Sequence, residues 1–63
     1  MTSAPPAAAA ARLSSVLQDQ PRWSAFWDKR YHVWRVAEDD PDSDLYAESD
    51  DADTVIGYIQ AHA

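Results

Sequence analysis

Residues 37 to 44, with the sequence AEDDPDSD, constrain the fold more than any other part of the chain. Five of these eight residues are acidic and one is proline, so the segment cannot be buried and is typical of a turn or loop. Residues 31 to 36, which precede it, are rich in β-branched and aromatic residues and predict a strand. Residues 45 to 49 form a short candidate partner strand. The sequence therefore predicts an antiparallel β-hairpin with an acidic connection.

The clearest helical pattern follows this hairpin, over residues 51 to 62. Its apolar side chains recur at helical spacing and form a single stripe. The stripe consists of Ala52, Val55, Ile56, Ile59 and Ala63. Ser49, Asp50 or Asp51 can cap the first turn. Because a hairpin alone is only marginally stable in water, we expect this helix to cover one of its faces.

A second group of apolar side chains, in residues 21 to 30, also repeats at helical spacing. The repeat places Trp23, Phe26, Trp27 and Arg30 on one face. Pro21 suits the first position of a helix, so we predict a short aromatic helix here. The predicted fold class is α+β, a small antiparallel β-hairpin covered by the C-terminal helix and the short aromatic helix.

The N-terminal third of the chain differs in composition from the rest. Pro5 and Pro6 bar a helix through residues 1 to 8, whereas the alanines at the start of residues 7 to 18 favour a short helix, on which Leu13, Val16 and Leu17 form a thin apolar stripe. We predict a flexible Ala/Pro-rich arm with a possible short helix over residues 1 to 20. A single small α+β domain is predicted over residues 21 to 63.

Composition limits where and how such a chain can work. With 63 residues and no cysteine, the chain can build only a small core and has no disulfide to support it. No apolar stretch approaches the length of a membrane span, so no membrane partner is expected. The N-terminal small-residue run has no preceding lysine or arginine, unlike a signal peptide. We expect a cytoplasmic protein.

Residue types that carry catalysis occur here without the spacing that catalysis requires. Neither His32 nor His62 has a second ligand at the spacing of a helical metal site, and the serines are in predicted caps and loops. A chain of this length also has little material for the walls of a cleft. We predict that the protein is not an enzyme and that it has no catalytic residues, metal or cofactor.

Residues 40 to 51 resemble the calcium loop of EF-hand proteins over twelve positions. The first, third and fifth positions are filled by Asp40, Asp42 and Asp44. That resemblance implies carboxylates converging on one hard cation. The chain departs from the pattern at Leu45, where the loop needs glycine, and at Asp51, where a longer glutamate is usual. We therefore interpret the segment as an acidic hairpin loop.

Charge is divided unevenly along the chain and indicates the class of partner. Residues 1 to 36 hold five basic and two acidic residues, a balance of +3, whereas residues 37 to 63 hold nine acids and no lysine or arginine. Such an acidic half favours docking on a basic surface of a larger protein, as a small regulator, inhibitor or nucleic-acid mimic. The predicted contact residues are Trp23, Trp27, Trp34, Asp39, Asp40, Asp42 and Asp44.

Two other functions fit parts of the sequence. Residues 22 to 35 interleave four basic residues with five aromatic ones, a composition suited to single-stranded nucleic acid, although a net charge of −6 makes that partner unlikely. A homo-oligomeric structural or assembly protein would use the aromatic side chains as a subunit interface.

Overall fold

A three-stranded antiparallel sheet with two helices makes up the fold, which a computed structural model describes for residues 6 to 62. The elements are α1 (Ala7–Asp19), β1 (Trp23–Asp28), β2 (Val33–Glu38), β3 (Tyr46–Ser49) and α2 (Ala52–Ala61). The strands lie in the order β1-β2-β3, so β2 is central. This arrangement confirms the α+β class, the predicted hairpin (β2 and β3) and the C-terminal helix.

The aromatic helix predicted over residues 21 to 30 is wrong, because this segment forms strand β1. Trp23 pairs with Glu38 and Asp28 with Val33, so the whole strand runs antiparallel to β2. Alternation places Trp23 and Trp27 on one face of the sheet and Phe26 on the other. Pairing with β2 satisfies the backbone hydrogen bonds of this segment and buries Trp23. These gains outweigh its helix propensity, and the spacing of the two tryptophans fits one face of a strand as well as one face of a helix.

The second strand is displaced by two residues from its predicted range of 31 to 36: it spans Val33–Glu38, so Ala37 and Glu38, which were predicted in the acidic loop, belong to β2. The side chain of Asp28 accepts hydrogen bonds from the backbone N–H groups of Arg30 (2.9 Å) and Tyr31 (3.2 Å), which forms a tight turn. His32 has a φ of 56°, a left-handed conformation that a strand cannot contain. The second strand therefore begins at Val33.

Both helices pack on the same face of the sheet, and the core is the layer of side chains between the helices and the sheet. The buried core residues are Leu13, Trp23, Trp34, Val36, Ala52, Val55 and Ile59. Leu13 belongs to α1 and is only 2% exposed, so this helix contributes to the core. The proposed boundary at residue 20 stays a prediction. Residues 1 to 5 of the predicted arm and Ala63 of the apolar stripe lie outside the described residues.

Helix α2 begins at a cap that joins it to the end of β3. The side chain of Asp51 accepts hydrogen bonds from the backbone N–H of Asp53 (3.2 Å) and from the hydroxyl of Thr54 (3.1 Å). The hydroxyl of Ser49 in turn accepts a hydrogen bond from the Asp51 N–H, at 3.1 Å. Of the three capping residues that the sequence offers, the helix uses Asp51.

Replacement of Leu13 by alanine tests whether α1 belongs to the folded unit. The loss of a buried leucine should lower the free energy of unfolding by about 2–5 kcal/mol, measured by urea denaturation with tryptophan fluorescence. The exposed Ser14 on the same helix provides the control, and S14A should leave stability nearly unchanged. Equal stabilities for L13A and S14A would show that α1 is a dispensable arm.

Replacement of Gly57 by alanine should stabilise the protein. Gly57 lies inside α2 with an ordinary helical backbone, and a methyl group there would come within 4 Å of nothing beyond its own helix backbone and its two chain neighbours. Because glycine costs a helix interior about 1 kcal/mol relative to alanine, G57A should raise the free energy of unfolding by roughly that amount. A decrease in the urea midpoint would contradict this.

Candidate protein-binding surface

The face of the sheet opposite the helices is not covered by any described element; we call it the open face. Strand alternation gives its residues, because Trp23, Trp34 and Val36 point into the core and their neighbours point away. The open face comprises Ser24, Phe26, Asp28, Val33, Arg35, Ala37, Tyr46 and Glu48. It contains side chains from all three strands, so it is a continuous surface.

Arg35 lies at the centre of this face and holds the neighbouring strands together. Its Nε donates to the Oδ2 of Asp28 on β1 at 2.9 Å, and its Nη1 donates to Glu48 and to the hydroxyl of Tyr46 on β3. The ring of Tyr31 lies over the guanidinium, with its centroid 5.8 Å from Cζ. One cation is therefore fixed by two carboxylates, a hydroxyl and an aromatic ring.

Hydrogen bonds in this cluster favour the charged forms of Asp28 and Arg35. The Arg35 guanidinium lowers the pKa of Asp28 below its ordinary value, helped by the N–H groups of Tyr31 and Arg30 and opposed by partial burial. The Tyr46 hydroxyl and the Asp28 carboxylate raise the pKa of Arg35. The cluster thus holds the Arg35 cation between the carboxylates of Asp28 and Glu48 on the open face.

Three large aromatic side chains on and beside this face are exposed. The exposed fractions are 59% for Phe26, 63% for Tyr31 and 47% for Tyr46. One of them, Tyr31, lines an open cleft of about 360 Å³ together with Val33, Arg35 and Glu48. Aromatic side chains that a fold leaves in water, grouped around a fixed polar centre, are typical of a protein-binding surface.

The tryptophans predicted to contact a partner occupy different places. Trp23 and Trp34 are 5% and 7% exposed and belong to the core, so neither ring lies at the surface. Trp27 is half-buried; its ring packs edge-on against Trp34 at 5.2 Å and stacks on His32 at 6.4 Å. Burial therefore assigns Trp23 and Trp34 to packing, because a small chain needs its largest apolar side chains in the core.

The four predicted acidic residues lie in and around the β2–β3 connection, but they divide into two pairs. Asp39 accepts a hydrogen bond from the hydroxyl of Ser24 at 2.9 Å, and Asp40 forms an ion pair with Arg22 at 2.8 Å. Asp42 and Asp44 are exposed, and their carboxylates make no contact with the described residues. Asp39 and Asp40 thus fasten the loop beside β1, while Asp42 and Asp44 face solvent.

Metal ligands and membrane spans are both lacking among the described residues. No three histidine or carboxylate side chains in residues 6 to 62 are arranged to hold a metal ion. The carboxylate of Asp40, the first position of the calcium-loop resemblance, is directed to Arg22 and to the backbone N–H of Asp42. Neither α1 nor α2 is long and apolar enough to cross a membrane.

Two of the four cations of the basic-aromatic segment 22 to 35 are already engaged in ion pairs. Arg22 and Arg35 form ion pairs with carboxylates, whereas Lys29 and Arg30 form none within the described part of the chain. Nucleic-acid binding by this segment would therefore depend on two cations in one turn. That is few for the several phosphate contacts on which such affinity rests.

Sequence reasoning missed the side chains that do form the exposed cluster, which are Phe26, Tyr31, Arg35, Tyr46 and Glu48. The sequence of residues 23 to 28, WSAFWD, did carry a signal for one of them. In an alternating pattern Trp23 and Trp27 share one face, and Phe26 lies on the other. As a strand, this segment separates Phe26 from Trp23 and Trp27. A helix would place all three aromatic side chains on one face. The helix prediction therefore did not show that Phe26 is exposed.

Comparison with known proteins does not assign this surface to a family. No family model, curated protein or solved structure matches the chain. The function is therefore argued from the chemistry of the open face and the acidic loop.

Replacement of Asp28 by asparagine tests the charge cluster through pH. A carboxylate whose pKa is lowered by folding stabilises the folded state above its ordinary pKa of 3.8, and this contribution is lost as pH falls through the folded-state value. D28N should therefore be less stable than the wild type at neutral pH, and the difference should shrink in strong acid. Urea denaturation over a pH series measures it.

The exposed Asp50, whose side chain has no contact in the described structure, supplies the control for this series. D50N should match the wild type at each pH. A difference between D28N and the wild type that stays constant into strong acid would show that the carboxylate charge is not what stabilises the cluster.

Proposed function

We propose that this protein is a non-catalytic, cytoplasmic protein-binding module that docks its open face on a basic surface of a larger protein. The observation that carries the proposal is the uncovered sheet face with exposed Phe26, Tyr31 and Tyr46 beside an acidic loop. Aromatic rings supply contact area at small entropic cost, and they are frequent among residues that dominate binding energy.

Charge favours a basic partner over a neutral or acidic one. The whole chain carries −6, and the central Arg35 is more than balanced by Asp28 and Glu48. The Glu48 side chain is half-exposed, so it remains accessible to a cation of the partner. Asp42 and Asp44, which form no ion pair with the described residues, add two carboxylates in the connection that leads into β3. Complementary charge would speed the encounter, and the aromatic rings would set the lifetime of the complex.

A module of this size acts by covering a site on its partner, as a regulator or inhibitor would. The fold supports that role because the Arg35 cluster fixes the side chains of the open face before binding. A surface fixed in advance loses less conformational entropy on association. The nucleic-acid alternative is less well supported, since Trp23 and Trp34 are buried and Arg22 and Arg35 are paired.

Photo-cross-linking from defined positions tests the proposed surface. Benzoylphenylalanine replaces Tyr31, at the edge of the cleft, or Gln60, exposed on α2 in the opposite layer. In a lysate of the source organism, the probe at position 31 should give a distinct adduct with a basic protein, identified by mass spectrometry, and its yield should fall with added salt. Identical adducts from positions 31 and 60, or none from position 31, would refute docking through the open face.

Neutralising Asp42 and Asp44 tests the role of the acidic loop with the partner identified by cross-linking. The double variant D42N/D44N should slow association and flatten its dependence on salt, while the dissociation rate stays close to that of the wild type. Surface plasmon resonance at several salt concentrations measures both rates. Stability should be unaffected, because neither carboxylate contacts another described group.

A matched control removes the same charge elsewhere. Asp19, at the end of α1, and Asp50, before α2, are both exposed acids outside the loop. If D19N/D50N slows association as much as D42N/D44N, net charge alone governs the encounter and the loop has no directing role.

A further inference from the structure

The two edges of the sheet are protected to very different degrees. β3 is only four residues long, its Tyr46 N–H donates to the hydroxyl of Tyr58 at 3.3 Å, and Glu48 places a charge in the strand. Short length, a covering group and charge are the means by which proteins prevent an edge strand from pairing with another chain. The β3 edge is therefore closed to a further strand.

The outer edge of β1 is longer and less protected: a backbone carbonyl covers it only at Trp23, and its only charged residue is the last one, Asp28. Its six residues contain no proline or lysine, and no charged residue precedes Asp28 at the strand end. The carbonyl of Arg22 accepts the N–H of Asp39, so the backbone groups of Ser24 and Phe26 point toward β2 and those of Ala25 point outward. No hydrogen bond from the Ala25 N–H or to its carbonyl occurs within the described residues.

The geometry points to β1 as the site where a second copy of this chain pairs, antiparallel, through its own β1. The pairing would join two three-stranded sheets into one of six strands, with the two open faces side by side. An isologous contact of this kind uses the same edge on both copies and closes after two. It also covers the less protected edge of each copy.

The charges at the two ends of β1 complement each other in this arrangement. The acidic loop lies at the start of the strand, where Asp39 and Asp40 contact Ser24 and Arg22. Lys29 and Arg30, which form no ion pair with any residue of the described range 6 to 62, lie just after its end. Antiparallel pairing brings the end that holds Arg22, Asp39 and Asp40, with a net charge of −1, beside the end of the other copy that holds Lys29 and Arg30, twice. A parallel pairing would place like charges together.

Phe26 sets the expected register of the two strands. The N–H of Trp23 is already bonded to the carbonyl of Gln20 at 3.0 Å, which ends the available edge on that side. A dyad at Phe26 places its side chain opposite Phe26 of the second copy. Because the backbone of Phe26 points toward β2, the two would form a non-hydrogen-bonded pair, whose side chains lie closest. This contact would cover a ring that is 59% exposed in one copy.

A single engineered cysteine provides a sharp test, because the chain has no cysteine of its own. In the proposed register the Cα atoms of the two residues at position 26 would lie about 4.5 Å apart, within the range that a disulfide spans. F26C should therefore form a covalent dimer under mild oxidation, seen by non-reducing electrophoresis. Sedimentation of the wild type should show a dimer that dissociates on dilution.

Two single-cysteine controls define the register and the edge. Residue 24 would lie about 13 Å from residue 24 of the second copy, at about 3.3 Å per residue of offset, so S24C should stay monomeric. Y46C places the thiol on the other edge strand and should also stay monomeric. Equal cross-linking of F26C and either control, or a wild type that sediments as a monomer at every concentration, would overturn the proposal.

A proline at position 25 blocks the edge without a cysteine. The N–H of Ala25 in the wild type points away from β2, and an edge strand tolerates proline at such a position. A25P should therefore keep the circular dichroism of the wild type and sediment as a monomer. If A25P does not fold, F26C still decides the matter. A folded A25P that still dimerises would exclude β1 as the interface.

Cross-linking from Tyr31 to a basic protein is measured separately, so the proposed function and the dimer can fail independently.

Discussion

The packing of two helices on one side of a small sheet is the interaction on which the rest of this structure depends. Val55 and Ile59 of α2 and Leu13 of α1 are almost fully buried against Trp34, Val36 and Trp23 of the sheet. With only 63 residues, the chain has apolar side chains for one such layer and no more. The opposite face consequently has to be stabilised in another way.

Arg35 provides that stabilisation on the open face. It links β1 through Asp28 and β3 through Glu48 and Tyr46, so a charge cluster takes the place that apolar packing has on the other face. A partly exposed cluster contributes less than a buried core because solvent screens its charges. It nevertheless fixes side-chain positions, and it leaves Phe26 and Tyr31 exposed around a defined centre. Stability and binding would therefore depend on the same residues here.

The open face and the β1 edge meet at Phe26, which connects the two proposals. A dimer formed through β1 would cover that ring but leave Tyr31 and Tyr46 exposed on each copy. Its two open faces would be held in a fixed relation, so a partner with repeated basic sites could engage both. The second contact would then occur at a high effective concentration, which raises affinity without a new contact.

The sequence by itself determined the elements whose signals are local. Helix α2 followed from one apolar stripe and a capping aspartate, and the acidic residues after β2 could only form an exposed connection. It also determined the charge imbalance and the exposure of Asp42 and Asp44. Only the tertiary structure decided the conformation of residues 23 to 28, because a spacing of four between Trp23 and Trp27 fits one face of a helix and one face of a strand. Pairing with β2 across the turn of residues 29 to 32 selected the strand, and burial under the helices then separated core tryptophans from exposed Phe26.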